Sequence, residues 1–89
     1  MIQNYHNEIY IEPALLTIEQ TYQYLNLARA TFYKLNASGA FGLLPVKPLG
    51  CRKVLYSRIE LEAYVKASTA EGKFIPRKQW QNMKHQYLK

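Results

Sequence analysis

Apolar and polar positions in this chain alternate with the rhythm of short helices, broken once by a stretch that no helix could cross. After Leu15 and Leu16, Ile18, Tyr22 and Leu25 fall on one face at helical spacing, with Thr21 beside them. Thr17 stands where a helix takes its N-terminal cap, and Gln20, three residues on, completes a capping-box pattern. Asn26 suits the left-handed conformation that ends a helix, so a short helix over 17–25 is predicted. The pattern resumes after Leu27. Ala28, Phe32 and Leu35 share one face, and Gly39 closes the segment. At about 100° per residue, the opposite face carries Ala30, Tyr33, Lys34 and Ala37, with Arg29 on its flank. Two short helices joined this tightly form a helix-turn-helix pattern. An ordinary pair of bundle helices would read the same way.

The next segment decides more. Residues 45–56 read P-V-K-P-L-G-C-R-K-V-L-Y; two prolines exclude a helix, and Val54, Leu55 and Tyr56 favour a strand. Gly50 lies where a hairpin needs its turn, which puts Arg52 and Lys53 at or just beyond the tip. Ser57 then caps a third helix, with Glu60 completing S-x-x-E and Ile59, Leu61, Tyr64 and Val65 as its apolar positions, Ala63 serving as a small spacer. Helix, turn, helix, basic hairpin, helix is a mainly α fold with a small β-hairpin wing: a winged helix-turn-helix. The expected core is Ile18, Leu25, Phe32, Leu35, Val54, Ile59 and Tyr64. Since it lies wholly upstream, residues 73–89 are expected to be dispensable for folding.

The ends are read separately. Residues 1–14 form an N-terminal arm in which Ile9-Tyr10-Ile11 alternates like a strand, with a mobile arm the alternative. Residues 15–67 form the domain. Residues 68–89 contain a linker followed by a basic helix or tail, where Trp80, Met83, Tyr87 and Leu88 recur at helical spacing among Arg77, Lys78 and Lys84. Three roles are open to that helix: packing on its own domain, which is the expected one, holding a recombinase or a neighbouring protomer, or touching DNA.

Charge sharpens the picture. The chain carries 12 Lys and Arg against 6 acids, all of them Glu. Residues 28–59 hold Arg29, Lys34, Lys47, Arg52, Lys53 and Arg58 with no acid, which concentrates positive potential where a polyanion would dock. Small outward residues such as Ala30 and Ala37 let a helix backbone approach a groove closely, while longer neighbours reach base edges or phosphates. Other chemistry finds little footing. His6, His85 and Cys51 are far apart, with no zinc-type spacing, so no metal or cofactor is expected. There is no Asp and no Gly-rich phosphate loop, and each Glu near the helices has an ordinary surface or capping role, so no catalytic residue and no enzyme activity are expected. No apolar run is long enough to span a membrane. The lack of a secretory pattern and the lone Cys51 lead to a cytoplasmic expectation.

Residues 15–67 resemble the small MerR-like winged helix-turn-helix proteins of phages and integrated elements, the excisionases (recombination directionality factors) and AlpA-like regulators. The resemblance lies in L-T-I-E-Q-T-Y-Q-Y-L-N-L-A-R-A-T-F-Y-K-L, the S-G that ends the second helix, L-P-V-K-P-L-G-C-R-K-V-L-Y and S-R-I-E-L-E-A-Y-V. It implies that the second helix enters the major groove, that the wing meets backbone or minor groove, and that the third helix packs beneath. Arg29, Tyr33 and Lys34 on the helix and Arg52 and Lys53 on the wing are then the implied contacts. Ala30, Thr31, Ala37 and Lys47 join the DNA-facing set, and Thr17 and Arg58 are further candidates for phosphate. Arg77, Lys78, Trp80, Met83 and Lys84 are the candidates for a partner-binding tail. Where the family usually has Ser, this chain has Ala28, which removes a side-chain cap. The implied partners are double-stranded DNA, an integrase and neighbouring copies of the chain on DNA. The implied function is an architectural factor that bends DNA and assists excision, the alternatives being an AlpA-like transcriptional regulator using the same surface and a protein-interaction module working through the basic tail.

Overall fold

The computed structural model describes residues 14–50 and 52–88; the expected strand at Ile9–Ile11, the rest of residues 1–13, and Cys51 lie outside the described residues. The chain is mainly helical with a two-stranded antiparallel sheet. Strand β1 (Leu15–Thr17) leads directly into α1 (Ile18–Tyr24) and then α2 (Arg29–Ser38). Strand β2 (Leu55–Ser57) leads directly into α3 (Arg58–Glu71), and α4 (Arg77–Met83) ends in a single 3₁₀ turn over Lys84–Gln86.

The local signals act as the chemistry requires. The Thr17 hydroxyl accepts the Gln20 amide at 3.1 Å while the Gln20 side-chain carbonyl accepts the Thr17 amide at 2.9 Å, so both halves of the capping box form. Asn26 takes φ 58°, and the Leu27 amide then reaches back to the Tyr22 carbonyl at 2.8 Å. This turns the chain from α1 into α2 within four residues. Gly39, at φ 82°, ends α2, and the Ala40 and Phe41 amides both close on the Leu35 carbonyl.

The sheet departs from expectation. β2 pairs with β1, in the register Leu15↔Ser57, Leu16↔Tyr56 and Thr17↔Leu55, and not with a full first arm of a hairpin. That arm contributes one bridge, Val46↔Leu55. Pro45 and Pro48 flank Val46 and have no N–H to give a ladder, so the pairing cannot extend. Leu55 therefore has a neighbour on both sides, lying in register with Thr17 and exchanging both backbone hydrogen bonds with Val46, and the described residues 47–50 and 52–54 belong to a loop closed at its base by that bridge.

The third helix is longer than expected. Residues 68–71, assigned to the linker segment beyond the domain, continue α3 until Gly72 ends it at φ 78°. Its buried stripe is Leu61, Tyr64 and Ser68 with Ala63 and Ala67 alongside. Ile59 stands two positions, about 200°, from Leu61, so it leaves the expected core and is 63% exposed. Only the Ser57 half of the second capping box forms, through the Glu60 amide. The Glu60 carboxylate instead accepts the Trp80 indole N–H at 2.9 Å and lies 3.8 Å from the Lys84 ammonium.

That bond belongs to the largest correction. The core does not end upstream of residue 73: Ile75 and Trp80 are fully buried beside Phe32, Phe41, Leu43, Tyr56, Leu61 and Tyr64. A row of edge-to-face rings runs from Phe32 to Phe41 (5.1 Å), on to Tyr64 (5.2 Å) and to Trp80 (5.2 Å), joining α2 to α4 through the middle of the molecule. The Tyr64 hydroxyl accepts the Gly42 amide at 3.0 Å and donates to the Ile75 carbonyl at 2.8 Å. Gly42 is required at this crossing, because a Cβ there would lie 2.7 Å from Ile75 O, Trp80 Cβ and Tyr64 Cε1. Of the expected core, Phe32 and Tyr64 are buried, while Ile18, Leu25, Leu35 and Val54 are partly buried against it.

Candidate nucleic-acid interface

The exposed face of α2 follows from what its other face must cover. Phe32 is fully buried and Leu35 is half-buried, which turns Arg29, Ala30, Thr31, Tyr33, Lys34 and Ala37 towards solvent. The N-cap of α2 is Ala28, with extended backbone and no side-chain hydrogen bond, and the first turn holds no acid. The amides there are uncapped by any side chain, and they sit at the positive end of the helix dipole beside a guanidinium. Arg29 lies over the Tyr33 ring, its Cζ 5.6 Å from the centroid, so a cation and an aromatic one turn apart are held as one unit.

Three elements meet in front of this helix end. An open groove of about 440 Å³ is lined by Thr17 and Glu19 at the start of α1, Arg29 and Tyr33 of α2, and Lys53 and Val54 from the 47–54 loop. The structure thus brings together Thr17, Arg29, Tyr33 and Lys53. Ala30, Thr31, Lys34 and Ala37 are exposed on α2, and Lys47 and Arg52 are exposed on the loop. Arg58 is engaged differently: half-buried, it pairs with Glu62 at 2.6 Å along α3.

The residues proposed as a partner-binding tail do not form a face. Trp80 is fully buried, Met83 packs against the core, and Lys84 faces Glu60. The Arg77 guanidinium turns inward to the end of α2, where one nitrogen donates to Asn36 O at 3.1 Å, Asn36 Oδ1 at 3.0 Å and Phe41 O at 3.4 Å, while its amide donates to Gly39 O at 2.8 Å. A cation on the carbonyl end of α2 also complements the dipole there. Lys78 alone of the five is exposed. The helix thus takes the expected role of packing on its own domain, while its particular partners were not legible, because spacing defines an amphipathic helix without saying what its apolar side covers.

Two features of the surface escaped sequence reasoning. Glu19 lines the groove as its acid, accepting a bond from Gln23 at 3.4 Å; its place two residues after the Thr17 cap was the available signal. Leu44, Val46 and Leu49 are exposed, Leu49 completely. The P-x-x-P spacing that keeps this stretch from forming a ladder is what leaves them uncovered. A larger cavity, about 630 Å³, opens between the far ends of α1 and α3 against Leu25, Val65, Lys73 and Phe74 and shares no lining residue with the groove. Burial raises the Tyr56 and Tyr64 hydroxyls above the usual tyrosine range; nearby Arg77 opposes this for Tyr56, and the hydrogen bond accepted from the Gly42 amide opposes it for Tyr64. Among the described residues no three His, Cys, Asp or Glu gather as metal ligands, and no helix is long and apolar enough to cross a membrane. No protein-family model, curated protein or solved structure matches the chain.

Proposed function

We propose that this chain is a winged helix-turn-helix protein that binds duplex DNA, with α2 in the major groove and the 47–54 loop as the wing against the adjacent backbone or minor groove. The observation that carries the reading is the convergence of Arg29, Tyr33 and Lys53 on one groove at the uncapped start of α2, next to a helix face of small residues and cations. Phosphates are drawn by Arg29, Lys34, Lys47, Arg52 and Lys53, while Ala30 and Ala37 allow close approach and Tyr33 offers a ring and a hydroxyl to a base or sugar. Arg77 contributes indirectly by fixing the end of α2 that carries Asn36.

The resemblance extends the proposal to an excisionase-type architectural factor: copies bind near an attachment site, bend the DNA and help an integrase run towards excision. Such a factor supplies geometry and no bond chemistry, at a deformation cost of about 1–6 kcal/mol that contacts must offset. The interaction-module reading loses its main support, since the tail's Trp80 lies in the core. The test is selection of bound duplexes from a randomised pool. The selected duplex is then used in a salt titration and, with an integrase whose attachment site contains the selected sequence, in an excision assay. Selective binding whose affinity falls steeply with salt, and excision that requires the chain, are expected. Binding that ignores salt would contradict the phosphate contacts, and promoter repression without any effect on excision would remove the excision role.

A further inference from the structure

The basic surface of the 47–54 loop has an apolar tip that neither the core nor a phosphate contact explains. Leu49 is 105% exposed, as open as a side chain on an isolated peptide. The fold holds it there by construction. Pro48 fixes the backbone before it, Gly50 turns the chain after it at φ 80°, and the Val46↔Leu55 bridge, with both its hydrogen bonds made, closes the loop below. Exposed cations stand on both sides, Lys47 before the tip and Arg52 and Lys53 after it. The base of the same loop, at Lys53 and Val54, borders Arg29 and Tyr33.

We infer that Leu49 is a wedge: resting on the DNA-binding reading, it enters the minor groove beside the α2 footprint and inserts between two base pairs, partly unstacking them and kinking the duplex. The reach is sufficient. Leu49 is three residues beyond the bridge, so it extends up to about 10 Å from it, against a minor groove about 7.5 Å deep. The chemistry is that of an apolar side chain placed between base planes while flanking cations hold the backbones on either side. A protein partner fits less well. Leu49, even with the partly exposed Leu44 and Val46 at the base of the loop, offers a small fraction of the roughly 800 Å² per side that a stable protein interface needs, whereas a single base step accepts a single side chain. No acid occurs anywhere in residues 28–59 to oppose the DNA backbone.

The experiment uses the full chain and a duplex selected from a randomised pool. The duplex is end-labelled for energy transfer and substituted with 2-aminopurine at successive positions beyond the α2 footprint. The wild type is expected to shorten the end-to-end distance and to raise 2-aminopurine fluorescence at one step. Leu49→Ala should abolish both signals while weakening binding by about ten-fold or less, and Leu49→Met should restore both. Since the residue is wholly exposed, neither variant threatens folding. A Leu49→Ala complex as bent and unstacked as the wild type overturns the wedge, and so does a straight, stacked wild-type complex. Self-association in solution that Leu49→Ala abolishes, with no unstacking, overturns it in favour of a protein contact. If no duplex is captured at all, the DNA-binding reading itself fails and the wedge falls with it; that outcome is distinct from a bound but straight duplex.

Discussion

Replacing Tyr64 with Phe removes one oxygen and leaves the ring in place among Phe41, Phe74 and Trp80. That oxygen accepts the Gly42 amide and donates to the Ile75 carbonyl, so its loss strands a donor and an acceptor at a crossing too tight for a Cβ. Gly42 and Ile75 are both buried, and the 2.7 Å approach that a Cβ at Gly42 would make leaves no room for a water in the new gap. Each stranded group costs about 1–3 kcal/mol; partial relaxation brings the sum to roughly 2–4 kcal/mol. For a domain of this size that is a large part of a stability of about 5–15 kcal/mol, and it lowers Tm by roughly 8–30 °C. Urea denaturation followed by tryptophan fluorescence reads it directly, because Trp80 packs on the Tyr64 ring at 5.2 Å. Tyr33→Phe, an exposed ring, serves as control and is expected to stay within about 0.5 kcal/mol of the wild type. A Tyr64→Phe variant as stable as that control would refute the claim that this hydroxyl ties residues 42 and 75 together.

Three further outcomes are expected. Stability falls at alkaline pH: Tyr56 and Tyr64 ionise near pH 10 in the unfolded chain but later when folded, so their contribution is full below about pH 10 and is lost as pH rises through the folded values. Urea midpoints between pH 8 and 11 should show the loss, and Tyr64→Phe should lessen it. Deleting residues 73–89 removes Ile75 and Trp80, each worth about 2–5 kcal/mol as a buried side chain, so circular dichroism should find the truncated chain unfolded; a folded truncation would contradict the shared core. Arg77→Ala should destabilise by about 2–3 kcal/mol in urea melts by freeing the carbonyls of Asn36 and Phe41, while the salt slope of DNA binding stays unchanged because Arg77 faces inward.

What the sequence revealed was local. The caps at Thr17 and Ser57, the left-handed Asn26 and the Gly39 stop each depend on residues within about four positions, so a linear reading reaches them. The outward face of α2 was equally legible, since burying Phe32 fixes by rotation where Tyr33, Lys34 and Ala37 must point. Pairing of Leu15–Thr17 with Leu55–Ser57 was not, because three residues are too few to show alternation and their partner lies some 40 positions away. Ile59 misled for the opposite reason. Its hydrophobicity suggested burial, but the stripe of α3 is set by Leu61 and Tyr64, which meet the rings of the core. Trp80 read as part of an amphipathic helix, yet nothing in its spacing announced Glu60 as the indole's acceptor or Tyr64 as its neighbour. The basic groove lay between these extremes: its cations stood out in the sequence, but their meeting with Thr17 and Glu19 needed the fold.

The most direct test of the DNA-binding reading is the salt dependence of duplex binding by the wild type and by the fourfold variant Arg29→Ala, Lys34→Ala, Arg52→Ala, Lys53→Ala, measured by fluorescence anisotropy on a selected duplex. All four side chains are exposed, so the variant should melt close to the wild-type temperature. The account predicts that specific binding is lost and that the remaining affinity depends on salt less steeply, by about 0.9 in the log–log slope for each phosphate contact removed. A folded fourfold variant that binds the same duplex with unchanged affinity and slope would contradict it.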